Sequence, residues 1–315
     1  MTDLNNNNDS SEFEQSLING LAKEVLTEQR RNRRWGIFFK ILLVLYLSSF
    51  LIVYAVKNTE TGSFSNDKHT ALIEINGVIA SNTEARADYI VTGLRKAFKD
   101  ENTQGVILRI NSPGGSPVQA GYINDEINRL KEKHPEIPVY AVISDMCASG
   151  GYYIAAAADK IYANKASIVG SIGVIMAGFG FVDSIEKLGI ERRLLHAGEN
   201  KGFMDPFQPL RPEESSHVQG LLNEIHQQFI DVVKNGRGER LIDDEKLFSG
   251  LIWSGHESIK LGLVDELASA SQVARDVIGA EDIVDYTKRE NFIDQFAKQM
   301  GSAMLQSITD SIRLQ

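Results

Sequence analysis

Two glycine-rich turns contain the residues of this chain that are best suited to chemistry. The first turn, residues 111–117, lies between an apolar run over 105–110 that predicts a strand and a helical pattern over 116–133. Gly114 and Gly115 lack side chains, so their backbone N–H groups are open to an anion or a developing oxyanion. A phosphate-binding loop is an alternative, but its Lys-Ser/Thr pair is missing. A purely structural turn is the other alternative.

Ser116 and Pro117 favour a helix that starts directly after this turn. Serine is a preferred N-cap residue, and proline suits the first helical position. Gln119 follows Ser116 at the spacing of a capping box. The turn and the helix are therefore predicted to be adjacent.

The second turn, residues 145–152, follows a predicted strand over 138–143 and precedes an alanine-rich helical segment over 151–158. Ser149 is expected at the exposed end of the strand, where Gly150 can donate its N–H without a side chain in the way. A serine beside two sources of N–H groups favours acyl transfer with Ser149 as the nucleophile. The alternatives are a plain helix cap at Ser149 and a nucleophilic Cys147.

A serine nucleophile needs a base. The sequence has six histidines, none in a motif-like setting: His69, His134, His196, His217, His226 and His256. A lysine can also act as the base when burial lowers its pKa toward neutrality. Lys201, in the glycine-flanked and partly apolar residues 198–204, is one of several such candidates.

Short apolar runs alternate with helical patterns from residue 70 to residue 163. This alternation indicates an α/β fold with parallel strands covered on both faces. Further along, apolar residues over 218–233 follow the helical period and predict a strongly amphipathic helix.

Four motifs, in this order, resemble those of the S49 peptidases, especially the short membrane-anchored bacterial signal peptide peptidases. They are Ser-Pro-Gly-Gly at 112–115, Ala-Ser-Gly-Gly-Tyr-Tyr-Ile-Ala at 148–155, Gly-Ser-Ile-Gly-Val at 170–174 and Asn-Lys-Gly at 200–202. The resemblance covers about residues 70–285. It implies a ClpP/crotonase-like fold of repeated β-β-α units.

The resemblance also implies a Ser/Lys dyad, with Ser149 as nucleophile and Lys201 as general base. Ser171 would hydrogen-bond the lysine amine and hold it in place. The family's oxyanion hole maps to the N–H of Gly150 and to the turn at 114–115, with Gly115 preferred to Gly114.

Family members of this length form homo-oligomeric rings, often octamers, whose active sites line a bowl near the membrane. Their expected substrates are apolar peptides, namely signal peptides left after cleavage by signal peptidase. Apolar side chains near the motifs are candidates for the substrate pocket, with core packing as the alternative: Met146, Ile172, Val174 and Met176.

Residues 35–56 are apolar, with Lys40 as the only charge. As a helix they would span about 33 Å, enough for a hydrocarbon core of about 30 Å. The stretch is longer than the apolar region of a cleaved signal peptide, so a retained transmembrane anchor is favoured. A buried soluble helix is the other alternative.

Arginines at 30, 31, 33 and 34 precede the span. The positive-inside rule therefore predicts a cytoplasmic N-terminus and a periplasmic or extracytoplasmic catalytic domain, on the inner (cell) membrane of a bacterium. The expected organisation has five parts: a tail over 1–34, the anchor over 35–56, a linker over 57–69, the peptidase domain over 70–285, and an amphipathic helix over 286–315.

The composition excludes several classes of protein. A net charge of −9 argues against nucleic acid binding, which needs a basic surface. One cysteine excludes an internal disulfide and a multi-cysteine zinc site. No cofactor or metal is expected, because Ser/Lys chemistry needs neither. A crotonase-type acyl-CoA enzyme and a non-catalytic membrane scaffold are the competing functions.

Overall fold

The computed structural model describes residues 27–50, 52 and 67–289. The chain divides into two compact units, Met1–Phe64 and Ser65–Gln315. In the first unit, residues 27–50 form a helix, α1. The described helix includes residues 27–34 of the predicted tail, which contain no proline or glycine to interrupt it. Among the described residues, no helix meets the requirements of length and apolar character for crossing a membrane.

Some predicted segments lie outside the described residues. These are positions 1–26 of the tail, 51 and 53–56 of the anchor, 57–66 of the linker and 290–315 of the last helix. The predicted linker ends sooner than residue 69, because His69 is buried and begins the first strand. The predicted helix over 286–315 is wrong at its start. Residues 286–289 are not helical, and the N–H of Tyr286 donates to the carbonyl of Leu72 at 2.9 Å.

The second unit confirms the α/β fold. Its described residues form one sheet of eight strands. The strands are β1 His69–Asn76, β2 Thr103–Ser112, β3 Val139–Ala148, β4 Lys160–Ala163, β5 Ile168–Gly170, β6 Ile252–Ser254, β7 Glu266–Leu267 and β8 Ile283–Asp285. The order is β6-β5-β3-β2-β1-β8, and β4 joins β3 to β7. All pairs are parallel except β5–β6.

Helices connect and cover these strands. They are α2 Ala87–Lys99, α3 Pro117–Lys133, α4 Gly150–Ala155, α5 Val182–Lys187, α6 Pro212–Arg237, α7 Gly255–Lys260 and α8 Ala270–Gln272, with a π-helical continuation Val273–Ile278. Short 3-10 turns lie at Gly238–Arg240 and Glu245–Phe248. The main core packs α2, α3, α4 and α6 on one sheet face, and a smaller cluster packs residues 273–274 on the other.

Helix α3 starts as predicted, but its capping glutamine has another partner. Ser116 caps the helix by accepting the N–H of Gln119, and Pro117 is its first residue. The Gln119 side chain accepts the N–H of Ala87, at the start of α2, at 2.8 Å. It does not complete a capping box, because the N–H of Ser116 already donates to the carbonyl of Ile79.

The amphipathic helix predicted over 218–233 is confirmed and longer, as α6. Its C-terminal half buries Phe229, Val233 and Arg237 against the domain. Arg237 is 1% exposed and pairs with Asp265 at 2.8 Å. Its N-terminal half is more open, and Leu221 there is exposed.

Candidate active site

Ser149 lies at the turn between β3 and α4. Its backbone has φ 51° and ψ −123°, a conformation that side chains rarely adopt. A hydrogen bond stabilises this strained conformation, because the N–H of Ser149 donates to the carbonyl of Gly170 at 2.8 Å. Its hydroxyl caps no N–H of α4, so the plain-cap alternative is not what the structure has. Ser149 is a half-buried serine on a strained strand-to-helix turn, and α/β-hydrolases present their serine nucleophile on a turn of this kind.

The turn at Gly114 and Gly115 packs directly on this serine. A Cβ on Gly114 would lie 2.7 Å from both the Cβ of Ser149 and the amide nitrogen of Gly150. A Cβ on Gly115 would lie 2.1 Å from the carbonyl oxygen of Ile79. Both glycines also have positive φ, at 98° and 151°. Only glycine fits either position, so the turn and Ser149 are held together by close backbone contact.

The three glycine amides of the two turns, those of Gly114, Gly115 and Gly150, differ in their partners. The N–H of Gly114 donates to the hydroxyl of Ser112 at 3.1 Å. Gly115 forms a parallel bridge with Ile79, made by the carbonyl of Gly114 and the N–H of Ser116. Among the described hydrogen bonds, none uses the N–H of Gly115 or Gly150. These two amides are therefore free to bind one oxygen atom, which favours Gly115 over Gly114.

Ser171 leaves the sheet beside Ser149. In the parallel pair of β3 and β5, Ala148 lies opposite Gly170, and each serine is the next residue along its strand. Ser171 has φ 53°, and its N–H donates to the carbonyl of Leu251 at 2.7 Å. The sequence-predicted Ser149 and Ser171 thus meet at the same end of neighbouring strands.

Lys201 is not joined to these serines within one chain. Its side chain is exposed, and no described hydrogen bond or ion pair links it to Ser149 or Ser171. It belongs to residues 174–211, which we call the exposed arm because none of its residues is buried. The arm presents large apolar side chains to solvent, among them Ile175 at 89% and Leu195 at 96% exposure.

Cys147 is poorly suited to nucleophilic attack. It is completely buried in the main core, and burial raises the pKa of its thiol. Since the thiolate is the reactive form, the thiol is inert at neutral pH.

The apolar candidates for the substrate pocket differ in how far they are exposed. Ile172 is fully buried in the core, Met146 and Val174 are half-buried, and Met176 is exposed. Within the described part of the chain, no three His, Cys, Asp or Glu side chains are placed to hold a metal ion.

Two residues near the site were not singled out by the motifs. Ile79 fixes the Gly115 turn by backbone bonds, which leave no signature in residue type. The Nε2 of His226, on α6, lies 3.3 Å from the carbonyl oxygen of Ile172. The sequence offers only its place on an amphipathic helix as a signal for His226.

The family model described as Peptidase family S49 matches residues 131–283. A candidate protease of Methanocaldococcus jannaschii is 30% identical over 269 residues, which cover 81% of this chain and 86% of that protein. The chain belongs to peptidase family S49.

The similarity to two other relatives covers only part of each sequence. A candidate signal peptide peptidase SppA of Enterococcus faecium is 32% identical over 72% of this chain and 64% of its own length. A Brucella abortus protein named Na(+)/H(+) antiporter NhaA is 46% identical over 59% of this chain. The chain spans about a quarter of that protein, at 25% of its length.

Proposed function

We propose that this protein is a serine endopeptidase in which Ser149 is the nucleophile and Lys201 the general base. The lysine amine removes the hydroxyl proton as the oxygen attacks the peptide carbonyl. The N–H groups of Gly115 and Gly150 stabilise the resulting oxyanion. Collapse of the tetrahedral intermediate releases the amine, which takes the proton from the lysine, and water then hydrolyses the acyl-enzyme by the same steps.

The observation that carries this proposal is the strained Ser149 beside two uncommitted amides. A structural turn would not require a serine at φ 51°, where glycine is far less strained. Membership of family S49 supports the same chemistry. Two further parts of the proposal rest on the family resemblance. They are the ClpP/crotonase-like grouping of the fold and the role of Ser171 in holding the lysine.

We infer that the lysine reaches the serine across two protomers of a ring. Lys201 is exposed and has no described contact with Ser149 in one chain. The exposed arm that carries Lys201 has apolar side chains of the kind that subunit contacts bury, including Phe179 at 83% exposure. A second copy of the chain supplies a covering surface for the arm and a serine for the lysine.

The substrates proposed are apolar peptides, namely signal peptides released into a bilayer. Residues 35–56 would anchor the protein and keep the site at the membrane surface, outside the cytoplasm. The large side chains between Trp35 and Phe50 are exposed along α1, as lipid contact requires. The name of the Enterococcus faecium relative points to the same substrate class.

Labelling with a fluorophosphonate tests the chemistry, because only an activated serine reacts. We expect the probe to modify Ser149, and Ser149→Ala and Lys201→Ala each to abolish both labelling and hydrolysis of an apolar peptide. Lys187→Ala, in α5 of the same arm, is the matched control and should keep activity. Labelling that persists in Ser149→Ala would refute the assignment. Absence of any labelled serine would favour the acyl-CoA enzyme or the scaffold.

A further inference from the structure

The segment that carries Ser171 is held from both sides by backbone hydrogen bonds. The N–H of Ser171 donates to Leu251, and the N–H of Gly250 donates to the carbonyl of Ile172 at 3.1 Å. The Ile172 side chain is fully buried, which fixes that residue in the core. Such bonds are needed, because a non-glycine residue at φ 53° relaxes unless its surroundings determine its conformation.

His226 adds a side-chain hydrogen bond to the same segment. Its Nε2 lies 3.3 Å from the carbonyl oxygen of Ile172. A carbonyl oxygen can only accept, so Nε2 must carry a hydrogen and donate it. Among the described hydrogen bonds, no other side chain bonds to residues 170–173.

The helix that carries His226 also supports the nucleophile helix. One turn further along α6, the ring of Phe229 lies 5.2 Å from the ring of Tyr153 in α4. At Gly236 the two helices approach so closely that a Cβ would lie 1.9 Å from the carbonyl oxygen of Ala156. Helix α6 therefore contacts both the helix that follows Ser149 and the segment that contains Ser171.

We propose that His226 is a positioning residue of the active site, and that it fixes Ser171 relative to Ser149 through the carbonyl of Ile172. This inference rests on the proposed function. If the hydroxyl of Ser171 orients the lysine base, a shift of the Ile172 carbonyl displaces that hydroxyl. We expect peptide binding to be unaffected, because the Ile172 side chain is fully buried and does not reach a substrate surface.

The test compares His226→Leu, His226→Gln and His226→Asn in the full-length assembled protein. Leucine fills the space without a donor, glutamine presents an N–H near the position of Nε2, and asparagine is too short to reach. We expect His226→Leu and His226→Asn to lower kcat about tenfold with KM unchanged, as loss of one orienting hydrogen bond predicts. His226→Gln should recover most of kcat. Fluorophosphonate labelling of Ser149 should slow in the same order.

Gln227→Leu is the matched control, because Gln227 is exposed on the same turn and its side chain donates a hydrogen bond to Asp231 within α6. It should leave kcat unchanged. Full kcat in His226→Leu, or equal loss in the glutamine and asparagine variants, would overturn the positioning role. In both cases Ser149-dependent hydrolysis by the unmodified protein would show that the peptidase assignment itself stands. Comparing glutamine with asparagine keeps the test decisive if the leucine variant does not fold.

Discussion

A Cβ on Gly150 would lie 3.3 Å from the amide nitrogen of Gly115. The two residues belong to turns that follow different strands, and their N–H groups meet beside Ser149. A methyl group added at Gly150 would therefore crowd the amide of Gly115, at less than the ordinary van der Waals distance. That contact would disturb one of the two N–H groups that are proposed to bind the oxyanion.

Gly150→Ala should therefore block catalysis without unfolding the protein. Gly150 has no positive φ, and its nearest side-chain neighbour, the Cβ of Ala120, would be 3.5 Å from the new methyl. We expect kcat to fall at least about 100-fold, as for loss of an oxyanion-hole donor. The midpoint temperature of thermal unfolding should change by only a few degrees.

Gly121→Ala in α3 is the control for this substitution. A Cβ there meets nothing within 4 Å, so activity should be retained. Nearly normal kcat in Gly150→Ala would mean that the two amides do not stabilise the transition state.

The residue pattern predicts those parts of the fold that depend on local sequence. Strands β1 to β4 and helices α2 and α3 follow from apolar runs and helical periods. The serine and glycines of the two turns could be named for the same reason, since a strand, a glycine turn and a helix are consecutive in the chain.

Other features depend on contacts between distant residues. Strand β8 has three residues with no distinctive period, and it pairs with β1 from the far end of the domain. The side chain of Gln119 caps α2 by accepting the N–H of Ala87, 32 residues away. The N–H of Ser116, which a capping box would have it bond, already donates to the carbonyl of Ile79. His226 could not be assigned a role, because only the packing of α6 brings it to Ile172.

Mixing two inactive variants tests whether the dyad forms between protomers. Ser149→Ala chains keep the lysine and Lys201→Ala chains keep the serine. In a ring assembled at random from equal amounts, about a quarter of the interfaces combine both intact residues. We expect peptide hydrolysis at about a quarter of the normal rate. The measurement is the rate after joint refolding or co-expression of the two variants.

The control replaces one partner with the doubly substituted chain. Ser149→Ala mixed with Ser149→Ala/Lys201→Ala has no intact serine, and it should stay inactive. If the first mixture is also inactive although mixed rings form, then the two residues do not act across protomers.

Charges placed within α1 test the proposed anchor. Leu43 and Leu45 are exposed in the apolar part of the helix. Each arginine at the centre of a span costs about 2.5–3.5 kcal/mol of insertion free energy. Leu43→Arg/Leu45→Arg should therefore move the protein from the alkali-resistant membrane fraction to the supernatant. Leu43→Phe/Leu45→Phe is the control and should remain with the membrane, so equal membrane retention of both variants would contradict the anchor.

The buried ion pair of Arg237 and Asp265 should make stability sensitive to acid. Burial alone would raise the pKa of Asp265, but hydrogen bonds from the Arg237 guanidinium and the N–H of Ile161 lower it. A lowered carboxyl pKa stabilises the fold above the unfolded-state pKa of about 3.9, and this contribution is lost as pH falls through the lower folded-state value. The free energy of unfolding should therefore decrease on acidification below about pH 4.

Asp265→Asn should remove this contribution and leave Arg237 buried without a charged partner. Breaking a buried pair in this way costs about 3–5 kcal/mol. Denaturant unfolding from pH 7 to pH 3 would show a lower midpoint at neutral pH and a weaker dependence on pH. Glu257→Gln, which breaks an exposed pair with Lys260, is the control and should change stability by less than about 1 kcal/mol. An unchanged midpoint in Asp265→Asn would mean that the attachment of α6 to the sheet does not depend on this pair.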